Sequence, residues 1–324
     1  MPTEVACALA VTTTLAGRAG GGGAGGGGDE VPNVLTNPGV EIWQRGPGGF
    51  NANTGSWTLT ADRWRILVTG TSALAVSRVA ADAGQGSLYA LGFTYTQGTA
   101  GNQGRISQRI EGWQQLAGRQ VAFSAFVKSS VVGAVRILVN DGATDTTSAP
   151  NAGTTGEVLS VVASIPAGAA IVDVRVIFDQ ASVNGYVDSL VLVPAGSPVP
   201  YTPLHQALDF VQCQRTYAVL GGLSATEDAI VLECLTATTA TGVWRYPVEM
   251  AGTPSQVTIS AATDWSVTNA AGGAVACTAL AIGIGYTARA ARINATVASG
   301  LVAGNAALLV AANANARIFA EFNP

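Results

Sequence analysis

The chain has 324 residues, of which 48% are hydrophobic and only 11% are charged, and its formal net charge is −4. With Lys128 as its single lysine, the sequence lacks the basic footprint of a nucleic-acid-binding protein and the polybasic segment of a membrane-surface protein. No run of 18 apolar residues is present, so we expect no membrane insertion as a helix. Forty glycines and few aromatic residues are typical of an all-β protein with short strands and tight turns.

The first 30 residues differ in composition from the rest of the chain. Residues 20–28 read GGGGAGGGG, a flexible tether, because glycine loses the most backbone entropy on ordering. The tether separates residues 1–17 from everything that follows. We expect this short segment to dock on a second, larger body, and the alternative is a tail without a role.

Short β-prone runs recur between turn signals in residues 31–193. Several alternate between apolar and polar residues, as in VAFSAFVK at 121–128, and a period of two indicates strands with one solvent-facing side. Strands at this spacing predict an antiparallel β-sandwich of the jelly-roll type. The predicted strands are 56–59, 63–68, 74–79, 87–95, 104–110, 120–128, 134–139, 156–165, 171–178 and 185–193.

A proline-rich connector and a helix follow. Residues 194–203 read PAGSPVPYTP, which favours a stiff, extended backbone. Residues 204–220 predict the one amphipathic helix, because Leu204, Leu208 and Val211 recur at steps of four and three, and a Gly-Gly pair would end it. This apolar stripe needs a partner surface, so we predict these three residues as an oligomer contact.

Residues 223–324 are again rich in strands. The predicted strands are 229–235, 241–248, 256–260, 266–269, 273–281, 285–297, 306–311 and 316–322. The fold class is therefore all-β, with two antiparallel β-sandwich or jelly-roll domains joined by the connector and helix, and preceded by the tether. The predicted domains are 1–30, 31–193, 194–222 and 223–324. Cys7, Cys213, Cys234 and Cys277 form no spaced motif, which favours buried thiols, although pairing of Cys213 with Cys234 stays open.

Catalytic motifs are missing from the sequence. His205 is the only histidine, and it stands beside the proline connector without a G-x-S-x-G elbow. Paired carboxylates of the kind glycosidases use remain open, but Asp141 and Asp145 sit in a stretch where Asp is expected for turn formation alone. We therefore expect no catalytic residue and no enzyme.

Aromatic residues in the first domain suggest a ligand surface. Tryptophan and tyrosine present a flat apolar face with a polar group, which suits sugar rings. Trp57, Trp113 and Tyr95 stand next to small or polar residues, and we predict them as candidate glycan contacts, with core packing as the alternative. Trp43, Trp64 and Phe123 lie in apolar strand patterns and are predicted to be core residues.

Two segments resemble a known family. Residues 33–46 read NVLTNPGVEIWQRG, and residues 208–217 read LDFVQCQRTY. Both resemble segments of fibre or spike proteins from bacteriophage and prophage virions or from gene-transfer particles. In those proteins the first segment opens a jelly roll similar to carbohydrate-binding modules, and the second follows it. Residues 291–304 and 314–322 are also similar to that family. Val40 stands where the family usually has Phe, and Thr216 intrudes in the second segment.

The resemblance also implies a structural calcium ion. In such jelly rolls the ligands come from the acidic residue of the N-P-G-x-E opening and from an Asp of the last strand, which correspond here to Glu41 and Asp188. Calcium prefers six to eight oxygen ligands. Ser189 stands where the family often has a second acidic residue. The alternative is that both carboxylates only bind loop amides.

The resemblance implies a protein of the virion surface. In this interpretation the N-terminus attaches to a capsid or tail protein, and the β domains bind host-surface polysaccharide. A homo-oligomer is expected, a trimer first and a pentamer at a capsid vertex second, because weak single sites gain from multivalency. The alternatives are a non-catalytic decoration or adaptor protein that stabilises the particle, and a capsule depolymerase.

Overall fold

The computed structural model describes residues 31–82, 86–180, 182–222, 226–269 and 271–322. The predicted docking segment and tether lie outside these ranges. From Pro32 onward the chain forms one compact unit, in which two antiparallel β bodies follow one another. No helix in the described ranges has the length and apolar character needed to cross a membrane.

The N-terminal body is a sandwich of two six-stranded antiparallel sheets. Sheet I has the strand order β1-β4-β5-β12-β7-β10, and sheet II has the order β2-β3-β6-β11-β8-β9. The strands are β1 (Gly48–Asn51), β2 (Thr58–Leu59), β3 (Arg65–Val68), β4 (Ala73–Ala80), β5 (Tyr89–Thr96), β6 (Gly104–Arg109), β7 (Gln120–Ser129), β8 (Val135–Asn140), β9 (Asp145–Thr147), β10 (Glu157–Ser164), β11 (Asp173–Phe178) and β12 (Val183–Val193).

Alternating apolar residues from both sheets fill the space between them. In β5, Leu91, Phe93 and Tyr95 point inward, and β7 contributes Phe123 in the same way. Trp64 lies fully buried near the start of sheet II. Burying side chains of this size stabilises a fold by about 1.5–3 kcal/mol each, so the alternation seen in the sequence is what holds the sandwich together.

The helix is shorter than the sequence predicts. Helix α1 spans Gln206–Gln214, whereas the prediction runs from residue 204 to residue 220. Residues of the predicted last turn form β13 (Tyr217–Gly221) instead, because Tyr217 and its neighbours pair with a strand near the C-terminus. This ladder supplies backbone hydrogen bonds that outweigh the local helix pattern.

The C-terminal body contains a closed barrel and a small sheet. Strands β14-β15-β19-β18-β17-β20 close the barrel, and β13-β21-β16 form a three-stranded antiparallel sheet. The bounds are β14 (Asp228–Cys234), β15 (Thr239–Arg245), β16 (Gln256–Ile259), β17 (Trp265–Thr268), β18 (Ala274–Tyr286), β19 (Ala290–Val297), β20 (Ala306–Ala311) and β21 (Arg317–Glu321).

The prediction of an all-β protein with antiparallel sheets is confirmed. The second body, predicted as a further sandwich or jelly roll, closes into a barrel instead, because closure depends on pairing between distant strands such as β14 and β20. Cys213, Cys234 and Cys277 are buried free thiols, so Cys213 and Cys234 are not paired with each other.

Candidate functional site

An open groove of about 710 Å³ crosses the outer face of sheet I. It arises from the period-two alternation of four neighbouring strands, because the residues between the core positions lie on the outer face of the sheet. On β5 these are Gly92 and Thr94, on β4 Ser77 and Val79, and on β12 Asn184 and Tyr186. The groove therefore combines hydroxyl and amide groups with small apolar patches.

Two glycines of sheet I stand where a larger side chain would not fit. A Cβ atom added to Gly92 would stand 2.6 Å from Val79 Cγ1, and one added to Gly185 would collide with the backbone oxygen of Lys128. Both contacts are closer than packed atoms tolerate. At Gly92, on the outer face, the floor of the groove is therefore backbone, whereas Gly185 alternates with Asn184 and Tyr186 and lies on the inner face near the Phe93 ring.

One side of the groove carries an aromatic and charged cluster. The ring of Tyr186 packs 5.9 Å from the ring of Phe126, measured between centroids. Lys128 Nζ lies 5.6 Å from the Tyr186 ring and 2.9 Å from an Asp82 carboxylate oxygen. Burial raises the pKa of Tyr186, and its proximity to Asp82 adds to this effect. At neutral pH the cluster presents a neutral phenol beside a paired lysine.

The lining of the groove is mostly uncharged. Among the described residues that line it, Lys128 is the only charged side chain, and there is no pair of carboxylates facing each other. General acid–base hydrolysis of a glycoside uses such a pair. What the lining offers is hydrogen bonding from Thr94, Asn184 and Ser130 next to the apolar surface of Val79.

The three predicted glycan contacts lie elsewhere. Tyr95 is only 1% exposed, and it packs in the core with its hydroxyl bonded to Ser72 and to the Asn102 carbonyl. The prediction that it faces a ligand is therefore wrong, since its side chain is inward in β5. Trp113 is half-buried in a 3-10 helix against the core. Trp57 is half-buried with the Arg65 guanidinium 4.3 Å from its ring centroid.

The two predicted calcium ligands converge on one segment. Glu41 accepts hydrogen bonds from the backbone amides of Leu88 and Tyr89, and Asp188 accepts one from the hydroxyl of Ser87. Burial raises the pKa of Asp188 to about 6, and the nearby Glu41 carboxylate adds to the increase. Two close carboxylates and a hydroxyl suit a hard cation such as calcium.

Further calcium ligands would have to be carbonyl or water oxygens. Within the described ranges, no group of three or more acidic, histidine or cysteine side chains is placed to hold a metal ion. The amide and hydroxyl contacts correspond to the alternative interpretation of Glu41 and Asp188. The donor chemistry fits calcium, and the ion stays a prediction.

The predicted oligomer contacts are accessible. Leu208 and Val211 of α1 are exposed by 65% and 44%, and Leu204, which precedes the helix, is exposed by 37%, whereas α1 buries Asp209 and Cys213 against the protein. Asp209 accepts a hydrogen bond of 2.7 Å from the Asn37 amide. The helix thus presents its apolar stripe outward, and self-association through that stripe stays a prediction.

Sequence reasoning did not identify the groove residues Ser77, Thr94, Lys128, Asn184 and Tyr186. Lys128 offered a signal, because the single lysine of the chain stands at a solvent-facing position of an otherwise apolar strand. The other four are ordinary polar or aromatic residues, and only the pairing of their strands brings them together.

No protein-family model matches the chain, and no curated protein matches it. Among solved structures, a family 61 carbohydrate-binding module in complex with β-1,4-galactotriose is 16% identical, with 51% of this chain and 99% of that chain covered and a TM-score of 0.34. The enzymatically active domain of tailspike protein 4 from bacteriophage CBA120 is 14% identical, with 50% and 21% covered and a TM-score of 0.35.

A family 11 carbohydrate-binding module of a Clostridium thermocellum cellulase is 13% identical, with 41% and 88% covered and a TM-score of 0.29. At these identities and TM-scores the similarities carry no conclusion about ligand or activity, because one fold hosts many functions. The chemistry of the groove has to supply that argument.

Proposed function

We propose that this chain is a surface fibre or spike protein of a phage virion, and that the sheet I groove binds host-surface glycan without catalysing a reaction. The observation that carries the binding proposal is the open groove itself, which offers polar side chains beside apolar patches. The virion assignment is supported by the resemblance of residues 33–46 and 208–217 to fibre proteins.

The groove lining matches the surface of a sugar chain. Sugar rings expose hydroxyl groups at their edges and C–H groups on their faces, so they need hydrogen-bonding side chains next to an apolar surface. Thr94, Asn184 and Ser130 supply the first, and Val79 with Tyr186 supplies the second. The groove is open, which suits an internal stretch of a polysaccharide.

A site of this kind binds weakly on its own, so several copies would have to act together. The outward stripe of Leu204, Leu208 and Val211 is the contact we propose between copies. Phe210, which is 39% exposed, extends the apolar surface. A trimer is the first expectation and a pentamer at a capsid vertex the second, with the N-terminal segment attached to a capsid or tail protein.

We also propose that calcium binds at Glu41 and Asp188 and stabilises the segment that these carboxylates hold. The ion would balance the charge of two close carboxylates, one of which is completely buried. It would play no part in ligand binding, because neither carboxylate lines the groove.

Glycan-array binding by the recombinant protein tests the binding proposal. The double variant Thr94→Ala with Asn184→Ala removes two groove hydrogen-bonding groups and should weaken binding to array-positive glycans about tenfold or more. Thr96→Ala is the matched control, because Thr96 is an exposed residue of the same strand and face but does not line the groove. Equal binding by the wild type, the double variant and Thr96→Ala would contradict the proposal, and so would an array without any signal.

A second candidate function is that of a decoration or adaptor protein of the particle. The observation that favours it is the apolar exterior of the barrel, where Val231, Val243 and Ile284 are each at least 50% exposed. Such a surface suits contact with another protein. Particles that lack this chain separate the two functions: reduced adsorption supports glycan binding, and reduced particle stability with normal adsorption supports decoration.

A further inference from the structure

A second cleft, of about 560 Å³, lies between the N-terminal and C-terminal bodies. On β21, alternation directs Arg317, Phe319 and Glu321 to the outer face of the three-stranded sheet, and these residues line one wall. The other wall comes from the jelly roll and consists of Arg45, Trp57 and Leu59. The volume falls within the range of about 300–1,000 Å³ that is usual for small-ligand sites.

Aromatic rings in this cleft are paired with arginines. The Arg45 guanidinium lies 3.7 Å from the ring centroid of Tyr217, and the Arg65 guanidinium lies 4.3 Å from that of Trp57. Such stacking fixes the orientation of both groups. Trp57 is only half-buried, so its indole forms part of the cleft surface.

The cleft adjoins a small cavity surrounded by guanidinium groups. This cavity has a volume of about 20 Å³, roughly the space of one water molecule or of the tip of a carboxylate. It shares Arg45, Leu59 and Glu321 with the open cleft, so the two spaces are neighbours. Its cationic lining consists of Arg45, Arg63, Arg65 and Arg109.

Positive charge exceeds negative charge at this cavity. Arg65 and Arg109, which line it, share the carboxylate of Asp173 at 3.3 and 3.1 Å. Arg175, outside the lining, pairs with Asp173 at 3.1 Å and with Asp145 at 3.5 Å. Arg65 is only 4% exposed, and its Nε has no hydrogen-bond partner within the described part of the chain. Burial lowers the pKa of Arg65 to about 10.

Arg317 adds a further cation to the cleft. It is half-buried, and its guanidinium forms no ion pair with any carboxylate of the described residues, whereas Arg45 pairs with Asp62 and Glu321 at 3.3 and 3.1 Å. The site is thus positively charged in a protein whose net charge is −4. An anionic ligand would balance this local excess.

We propose that this cleft binds a carboxylated sugar of an acidic polysaccharide. A planar carboxylate fits the fork of a guanidinium group better than a point charge does, and in the cleft it can accept hydrogen bonds from Arg317. The adjoining cavity, where Arg65 has an unpartnered Nε, adds to the local positive charge. The aromatic surface of Trp57 takes the apolar face of the ring. The site is separate from the groove, which lies on the other sheet of the jelly roll.

Calorimetric titration with galacturonic acid trisaccharide and with sialyllactose tests this proposal. We expect at least one of these acidic probes to bind, and we expect galactose trisaccharide, which is neutral, not to compete with it. Raising the salt from about 0.05 to about 0.5 M should weaken the binding, because the attraction is electrostatic. Arg317→Gln should weaken it about tenfold.

Two variants control for indirect effects. Arg245→Gln removes an exposed arginine of the barrel that does not line the cleft and should bind like the wild type. Thr94→Ala alters the groove and should also leave acidic-sugar binding unchanged, so this site and the groove can fail independently. The proposal is overturned if neither acidic probe binds at millimolar concentration, if Arg317→Gln behaves like Arg245→Gln, or if inorganic phosphate displaces the probe at equal concentration.

Discussion

Replacing Asp188 by asparagine probes the buried carboxylate pair. Asp188 is fully buried on β12, and burial raises its pKa from 3.8 to about 6, with Glu41 adding to the effect and hydrogen bonds from Ser87 and Ser189 opposing it. A raised carboxyl pKa means that ionisation costs more in the folded state than in the unfolded chain. The cost appears as the pH rises from about 4 to about 6 and is complete above that.

The magnitude follows from the pKa difference. At about 1.4 kcal/mol for each pKa unit, ionised Asp188 destabilises the fold by about 3 kcal/mol at pH 7. The asparagine side chain of D188N would keep the shape but could not ionise, so this variant in the presence of a chelator should lose less stability between pH 4 and pH 7 than the wild type. Burial also raises the pKa of Asp62 to about 6. Its effect on the pH dependence of stability is the same in the wild type and in D188N, so it cancels when the two proteins are compared.

The assay is urea unfolding followed by tryptophan fluorescence across this pH range, with and without calcium. Calcium should stabilise the wild type at pH 7 and leave D188N unchanged, because the variant lacks a ligand carboxylate. Parallel pH profiles for the two proteins would refute the assigned cost of the carboxylate. An equal effect of calcium on both would refute the proposed site.

Three further outcomes are expected. Leu208→Asp combined with Val211→Asp should lower the oligomeric state in light scattering while the circular dichroism spectrum stays that of the wild type, because both residues are exposed in the single chain; an unchanged mass would contradict the helix contact. Gly185→Ala should destabilise the fold by about 1–3 kcal/mol through its backbone collision, whereas Gly168→Ala, which meets open space, should not. Tyr95→Phe should cost about 1–2 kcal/mol in denaturant unfolding and leave glycan binding unchanged, since its hydroxyl is buried and bonded.

Local patterns predicted most of the strands and much of the core. Period-two alternation depends only on neighbouring residues, so β20 (Ala306–Ala311) was predicted with the bounds it has in the fold. Trp64 and Phe123, predicted as core from their apolar surroundings, are fully buried. These features could be read from the sequence because burial on one face of a strand leaves a local signature.

The same rule explains why Tyr95 was misassigned. In an alternating strand, exposed neighbours such as Thr94 and Thr96 indicate that the residue between them points inward. The flanking threonines were therefore a signal of burial for Tyr95. They also marked the solvent-facing side of β5, where Thr94 lines the groove.

Neither cleft could be predicted, because both depend on pairing between distant segments. The groove forms only because β4, β5, β12 and β7 are neighbours in sheet I. The arginine-lined cavity forms only because Arg45 and Arg65 of the jelly roll lie beside Thr216, which follows α1, and Phe322, which follows β21. The net charge of −4 did not indicate a cationic site, because net charge does not show that four arginines lie around one cavity.

The most direct test of glycan binding in the groove uses the single lysine of the chain. Reductive ¹³C-methylation labels only Lys128 and the N-terminal amine, so one lysine signal in an NMR spectrum reports on the groove. Titration with an array-positive glycan should shift that signal progressively to saturation. A glycan that binds the protein while the Lys128 signal stays unchanged at saturation would show that the sugar binds somewhere else.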